Sequence, residues 1–366
     1  MINGYNLNAV EQGVIRMKYL ILLIILFSSQ SVGQNTPAEF AEMSMQQLFN
    51  QSIYDVKLYN NQTSPWSLTY QFKTVEFEGY LDGTKALSFD EVLWNGPSEP
   101  RTAKNFPILP TLITQKAQIF ALGYQFSPHW HGRISVPYIQ QRTDHISIVG
   151  NYEYFTIKTQ GVGDASILAS YKWFDADSDT GVWRFSFGLN LPTGSIDETG
   201  DTPREPGEQQ LPYTMQLGSG TYDFPFEFSY LNTGGHDFNV GLSANIRSGT
   251  NDRNYRLGNN YSLHGGYRID LSPTIQTFVR VNFMYSLPIH GQDDSLLVNS
   301  PFPYPAGITN PDLYGGKKIN VRLGILWQIA KDYRLSLEIG KPVYQNLNGP
   351  QPKEKWQSAV SISRVM

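Results

Sequence analysis

The chain contains no cysteine. Disulfide staples and thiolate metal centres are therefore excluded, and stability has to come from backbone pairing and packing. Charge is scarce as well: Asp, Glu, Lys and Arg supply 16% of the 366 residues, against about 25% in a typical soluble domain. Beyond the N-terminus no segment approaches the roughly 18 consecutive apolar residues that mark a membrane-spanning helix. The basic residues are dispersed and the net charge is −4, which argues against a nucleic-acid surface. Aromatic residues, by contrast, are plentiful at 13%, with 22 tyrosines. The mean hydropathy of −0.34 is too polar for a bundle of membrane helices. Apolar residues placed at every second position reconcile these figures, because each strand then offers one face to lipid and one to a polar interior.

The N-terminus reads as an address. Arg16 and Lys18 flank Met17, the apolar run Tyr19–Phe27 follows, and Ser31-Val32-Gly33 places small residues before a cut at Gln34. A basic region, a short apolar core and small residues at a cleavage point make a secretory signal over 1–33, with Met17 as an alternative start. The run is far shorter than the roughly 20 residues a membrane anchor needs. Residues 34–62 form a separate N-terminal segment, periplasmic or lumenal. Within it Phe40, Met43, Met45, Leu48 and Phe49 recur near helical spacing and predict a short helix.

From Trp66 onward the period is two. Ile319-Asn320-Val321-Arg322-Leu323-Gly324-Ile325 and Tyr333-Arg334-Leu335-Ser336-Leu337-Glu338-Ile339-Gly340 each sort into an apolar and a polar face. Trp183–Leu191, Tyr222–Tyr230 and Phe238–Ile246 do the same. About twelve such strands are expected, near 66–81, 113–127, 131–145, 161–174, 182–191, 214–230, 237–249, 258–270, 275–288, 317–330, 333–344 and 354–365. The first changes parity near Lys73, which suggests a bulge there. Connections alternate in length. Short turns such as 127–130, 272–274 and 330–332 follow every second strand, and long loops such as 82–112, 192–213 and 289–316 follow the others. Outer-membrane barrels have this alternation, with tight periplasmic turns and long external loops. Tyr124, Tyr138, Trp173, Trp183, Tyr230, Tyr267, Tyr285, Trp327, Tyr333 and Trp356 lie toward strand ends, as interfacial girdles do. The fold class expected for 63–366 is an all-β antiparallel transmembrane barrel, preceded by the short helical segment.

Three motifs stand in order along the chain: Gly161-Val162-Gly163-Asp164 running on to Leu168 and Tyr171, then Asn190-Leu191-Pro192-Thr193-Gly194-Ser195, then Gln216-Leu217-Gly218-Ser219-Gly220-Thr221-Tyr222-Asp223. This trio resembles the outer-membrane family described as the MetA-pathway of phenol degradation, over about residues 113–345. The resemblance implies passage of small, often aromatic or hydrophobic, compounds. Residues 35–60 and the first long loop depart from the family pattern.

If the apolar faces meet lipid, the polar faces define a lumen. Its candidate lining is Arg133, Lys172, Arg184, His264, Arg268, Arg280, Arg322 and Arg334, opposed by Asp164, Asp223, Glu227 and Glu338. Such a lining serves either as a salt-bridged filling or as a charged constriction that selects solutes. The N-terminal Phe40, Met45, Leu48 and Phe49 are candidates for a plug at the barrel mouth. Asp175, Asp177 and Asp179 have the i, i+2, i+4 spacing of calcium loops, but the glycine falls late and no Glu closes the loop, so no metal or other cofactor is expected. His145 and Ser147 share one strand face and offer an enzyme alternative, a lipid hydrolase with base and nucleophile, though no orienting third group is evident. The function expected is uptake of small molecules through an outer-membrane channel. The alternatives are that hydrolase and a structural or adhesion barrel. Outer-membrane lipid, the solute and the barrel-assembly machinery are the expected partners.

Overall fold

The computed structural model describes residues 64–150, 153–174, 181–232 and 237–366. The signal segment, the N-terminal helix, the plug residues Phe40, Met45, Leu48 and Phe49, and the aspartate-spaced turn over 175–180 lie outside them.

Alternation becomes strand wherever it was legible. In chain order the wall is built from β1 (Trp66–Gly83), β3 (Ile108–Gln125), β4 (Trp130–Ser147), β6 (Ala165–Phe174) and β7 (Gly181–Leu191). It continues through β10 (Tyr222–Asn232), β11 (Asp237–Ser248), β13 (Asn260–Asp270), β14 (Ile275–Ser286), β16 (Gly316–Ala330) and β17 (Tyr333–Val365). Neighbours pair antiparallel in the order β17-β16-β14-β13-β11-β10-β7-β6-β4-β3-β1, and β1 closes the ring on β17 from Ser67↔Val365 onward. Two strands pair outside the ring: β2 (Lys85–Leu87) on β1 and β5 (Tyr154–Val162) on β4. Small ribbons lie in the loops, β8 (Thr199–Thr202) with β9 (Glu205–Gln210), and β12 (Tyr255–Arg256) with β15 (His290–Gly291).

The ring therefore counts eleven strands, against an expectation of about twelve. The difference lies in β17, which runs unbroken over 33 residues where the alternation suggested two strands. Its first half pairs with β16 and its second with β1. Val365 N–H donates to Asp332 O at 3.0 Å, so both ends of β17 lie at one rim.

Other boundaries also moved. The expected strand 161–174 is split at Gly163-Asp164 into β5 and β6, which continue the same line beside β4. The expected strand 214–230 begins only at Tyr222; Tyr213–Met215 is a 3-10 turn, and Gly220 takes φ +68° in the linker that follows. No bulge sits at Lys73. Its register with both β3 and β17 is continuous, and the shifts come later, between Glu76 and Gly83. The apparent change of parity has another cause: the polarity of the two faces inverts along the strand.

Toward the rim of short turns, the outward face is apolar. Leu68, Phe120, Leu122, Ile134, Val136, Leu323, Ile325 and Trp327 are all exposed there. Rings join hands around this rim: Trp66 meets Tyr124 at 4.6 Å, Trp130 meets Tyr171 at 5.0 Å and Trp183 meets Tyr230 at 4.8 Å. Such a belt on a closed antiparallel ring is how a β structure crosses lipid with no unpaired backbone edge. Farther along β1, β3 and β4 the outward residues become Glu76, Glu78, Thr114, Lys116, Gln140 and Arg142, while Val75, Phe77, Ile113, Ala117, Ile119 and Ile139 turn inward and are buried together. The wall rises out of the membrane there, and the inside becomes the dry side.

The two faces of β16 give a direct test. Leu323 is 57% exposed and its neighbour Arg322 only 2%. Leu323→Arg should impair assembly, because a charge facing lipid at mid-membrane costs about 2–4 kcal/mol. Arg322→Leu should assemble far better, since Arg280 still holds Glu338. Heat-modifiable gel mobility after expression measures both, and equal tolerance of the two changes would overturn the assigned faces.

Candidate functional site

The ladder register stacks charged side chains on the inward face of adjacent strands. Arg280 of β14 lies directly across from Arg322 of β16, and Arg322 across from Gly340 of β17. Glu338 answers both: its carboxylate lies 3.3 Å from Arg280 Nη1 and 3.1 Å from Arg322 Nη1. Gly340 is where the large guanidinium finds room, as a Cβ there would meet Arg322 Cγ at 2.2 Å. His264 and Asn282 continue the same face, and Asn320 lies beside them, fully buried. On the opposite arc Lys172 faces Arg184 across the β6–β7 pair, and Arg184 reaches Glu227 at 3.4 Å. Nearer the short-turn rim Arg268 binds Asp237 at 2.8 Å, and Arg334 reaches Gln328 Oε1 at 3.4 Å. Arg133, one position from the exposed Ile134, sits on the partly covered inward side of β4. Asp223 pairs with Arg247 at 3.4 Å and accepts from Thr221 at 2.8 Å.

Several members of this array were missing from the sequence reading. Lys73, Arg247, Lys318, Asp237 and Glu354 are all buried, with Lys318 bonded to Glu354. Parity could have found four of them: Asp237 and Arg247 extend the polar face of Asn239, Gly241, Ser243 and Asn245 at either end. Lys318 stands two and four residues before Asn320 and Arg322, and Lys73 follows Thr69 and Gln71 on one face. Glu354 had no such signal, since the bend inside β17 hides the phase.

Above this charged interior the long loops close the outer mouth. Leaf-like, the segments 84–107, 192–221, 249–259 and 287–315 fold inward and share one apolar cluster with Tyr80, Val92, Phe106, Tyr213, Tyr255 and Tyr314. Tyr213 packs edge-on against Tyr255 at 4.8 Å and Tyr314 at 5.4 Å, and its hydroxyl accepts from Asp293 N at 3.0 Å. Burial pushes the Tyr213 phenol above its ordinary pKa. Arg253 clamps two loops, at 2.7 Å from Asp197 and 3.3 Å from Asp293.

The three sequence motifs meet at one node beneath these loops. Asp164, in the break between β5 and β6, accepts from Gly194 N at 2.9 Å, from Ser219 N at 2.8 Å and from Ser219 Oγ at 2.7 Å. Thr193 Oγ1 donates to Gly163 O and accepts from Ala165 N, both at 2.9 Å. Leu217 and Gly218 donate to Ser195 O at 2.9 and 3.0 Å. Gly194 and Gly218 touch so closely that a Cβ on Gly194 would sit 2.6 Å from Leu217 O. Small residues and one carboxylate thus bind the 192–221 loop to the wall where β5 leaves β7 behind. Beyond Leu191 no barrel strand pairs with the second edge of β5 among the described residues; Thr159 instead donates to Met215 O at 2.8 Å. Beside the node lies a cavity of about 60 Å³, lined by Gln115, Gln141, Asp164, Asn190, Gln216 and Asp223 among others, with room for a few waters.

The hydrolase pair is not assembled. Ser147 Oγ donates to Val149 O at 3.1 Å, and His145 Nδ1 bonds Thr143 O at 3.1 Å. The His145 ring stacks on Phe155 at 4.5 Å, and both His145 and Ser147 are buried.

No family model and no curated protein matches the chain. Solved structures do. The COG4313 outer membrane channel from Pseudomonas putida F1 superposes with a TM-score of 0.54 at 14% identity, over 84% of this chain and 98% of that one. The translocator domain of autotransporter NalP from Neisseria meningitidis follows at 0.45 and 10%, over 89% and 96%. The KdgM porin scores 0.38 at 8%, over 82% and 99%. The first likeness supports the fold, and together with the closed ring and its lipid-facing belt it makes the chain a porin-like β-barrel of the bacterial outer membrane.

Proposed function

We propose that the barrel is an uptake channel for small molecules that carry an apolar or aromatic body, and that its charged interior is the path they cross. The observation that carries this reading is the layered interior: an aromatic, loop-built lid over an apolar collar, above a ring in which Arg133, Lys172, Arg184, Arg280 and Arg322 surround Glu227 and Glu338. A barrel needed only for anchorage has no use for so many buried ions, each of which is costly to desolvate. Rings of charge at a narrow point are a means of selecting solutes, and cation excess favours anionic or hydrogen-bond-accepting ones. His264, Arg268, Arg334, Asp164 and Asp223 extend this lining toward the two mouths.

Two elements control passage in this reading. One is the loop 192–221, tied to the wall through Asp164. The other is the N-terminal segment, with Phe40, Met45, Leu48 and Phe49 as its sequence-derived plug candidates. The resemblance of the three motifs to the phenol-degradation family points the same way, toward hydrophobic or aromatic cargo.

Single-channel and vesicle-flux measurements test the proposal. Asp164→Ala removes three hydrogen bonds at the node, each worth about 1.5–3 kcal/mol when the acceptor is charged. It should leave the ring folded and raise the frequency of open events and the flux of small aromatics. Deleting residues 35–60 should raise conductance through a barrel that remains heat-modifiable. Impermeable barrels in both cases would refute the channel. The hydrolase alternative is tested in the same vesicles: Ser147→Ala should change neither phospholipid turnover nor flux, and loss of a lipid-cleaving activity would instead favour the enzyme.

A further inference from the structure

The wall of β3, β4 and β5 rises beyond the apolar belt on its lipid side, and its first rows there are basic. Phe120 lies across from Val136, both exposed and apolar. The next outward pair is Gln118 with Tyr138, then Lys116 with Gln140, then Thr114 with Arg142. On the far side of β4, Gln140 faces Gln160 and Arg142 faces Lys158. Lys116, Arg142 and Lys158 are all exposed.

Two features mark this arrangement as a receiving surface. Arg142 and Lys158 stand directly opposite on one face, where like charges repel at Cβ separations of about 5 Å. Asp144 binds Arg142 at 2.8 Å and is itself held by Thr156 at 2.5 Å, so the nearest carboxylate is committed to Arg142 and not to Lys158. Among the described residues Lys116 and Lys158 make no ion pair, and the nearby acids of β1 are engaged: Glu76 accepts from Trp356 and Glu78 pairs with Lys355. The second feature is height. These rows lie immediately above the exposed Phe120, Val136 and Val162, which is the level of lipid headgroups. The long loops leave from this end of the barrel, so the headgroups are those of the outer leaflet.

We propose that this face binds the phosphates of the outer leaflet's phosphorylated glycolipid. Lys116 and Lys158 are separated by two strand spacings and a two-residue stagger along β5, about 12 Å between Cα positions, a span that a disaccharide bearing a phosphate at each end bridges. Gln140 and Gln160, joined by a hydrogen bond at 3.4 Å, lie between the cations and present amides to sugar hydroxyls. Acyl chains then descend along Phe120, Val136, Ile134 and Val162. The bound anion relieves the Arg142–Lys158 repulsion and fixes one lipid against the strands that carry the Asp164 node.

The test uses the full mature chain, purified in detergent, and measures binding of diphosphoryl lipid A, its dephosphorylated form and phosphatidylglycerol. Wild type should prefer the diphosphoryl form. The triple variant K116Q/R142Q/K158Q should lose roughly fivefold in affinity per cation removed, the size expected for one basic side chain at an anionic lipid surface, and should bind the dephosphorylated lipid as wild type does. Equal affinity of wild type for diphosphoryl lipid A and either of the other two lipids, or an unchanged triple variant, would overturn the proposal. If the triple variant does not assemble, the salt dependence of wild-type binding decides, since a phosphate-binding surface must weaken steeply with ionic strength and an apolar one must not.

Discussion

Closure of the backbone ladder is the constraint on which everything else rests. In a bilayer an unpaired strand edge leaves N–H and C=O groups with no water to bind, so the sheet must return to its start. Here it does so through the pairing of β1 with β17, from Ser67↔Val365 to Gly83↔Leu347. Once the ring is closed, parity fixes the rest. Each residue is assigned to lipid or to the interior by its count along the strand, and no local rearrangement can exchange the two without moving a whole strand. That is why Arg322 and Leu323, one residue apart, inhabit opposite environments.

The interior that parity creates is expensive. A lumen ringed by Arg, Lys and Glu forgoes the hydrophobic packing that fills other small barrels, and it retains buried pairs such as Lys318–Glu354 and Arg247–Asp223. Removing one partner of such a pair typically costs about 3–5 kcal/mol, because the survivor stays charged and dry. Replacing both by apolar residues is often neutral. Charge has therefore been kept where stability does not demand it, from the short-turn rim at Arg268–Asp237 up to Lys318–Glu354 beside the apolar collar. Glu338 illustrates the economy: one carboxylate spans two guanidiniums from different strands and so fixes the register of β14 against β16 and β17.

Much of this was legible in the sequence, and the exceptions are informative. The strand period and the short turns at 127–130, 272–274 and 330–332 were legible because membrane burial enforces a strict alternation over the belt, whereas the long loop expected over 345–353 is part of β17. The reading failed where the belt ends. Above it Val75 and Phe77 turn inward while Glu76 and Glu78 turn outward, so the polarity of the faces reverses with no change in backbone phase. A sequence has only polarity to report, so the reversal looked like a bulge at Lys73. The same blindness merged β5 with β6, since Gly163-Asp164 interrupts a line of strand that continues beside β4. The three motifs were visible, but not their convergence. Gln216–Asp223 reads as strand by composition, and only the fold brings Ser219 onto a carboxylate fifty-five residues earlier.

The inversion of polarity also explains where the loops go. An apolar collar facing inward above the membrane cannot be left to water. Loops carrying Tyr213, Tyr255, Leu313 and Tyr314 are drawn into the mouth by the same burial that would otherwise form a domain core. Their seat is firm in some places and light in others. Around Tyr213 the contact is aromatic and extensive, whereas along β5 the wall is completed by Asp164, the backbone amides of Gly194 and Ser219 and the Thr159 hydroxyl. The Asp164 node lies on the polar side of this seat, next to the cavity that Gln141 and Asp223 line. The position of the node follows from the strand register alone: β6 ends its pairing with β7 at Ala165↔Leu191, and any residue placed just before Ala165 must finish the wall without a neighbouring strand.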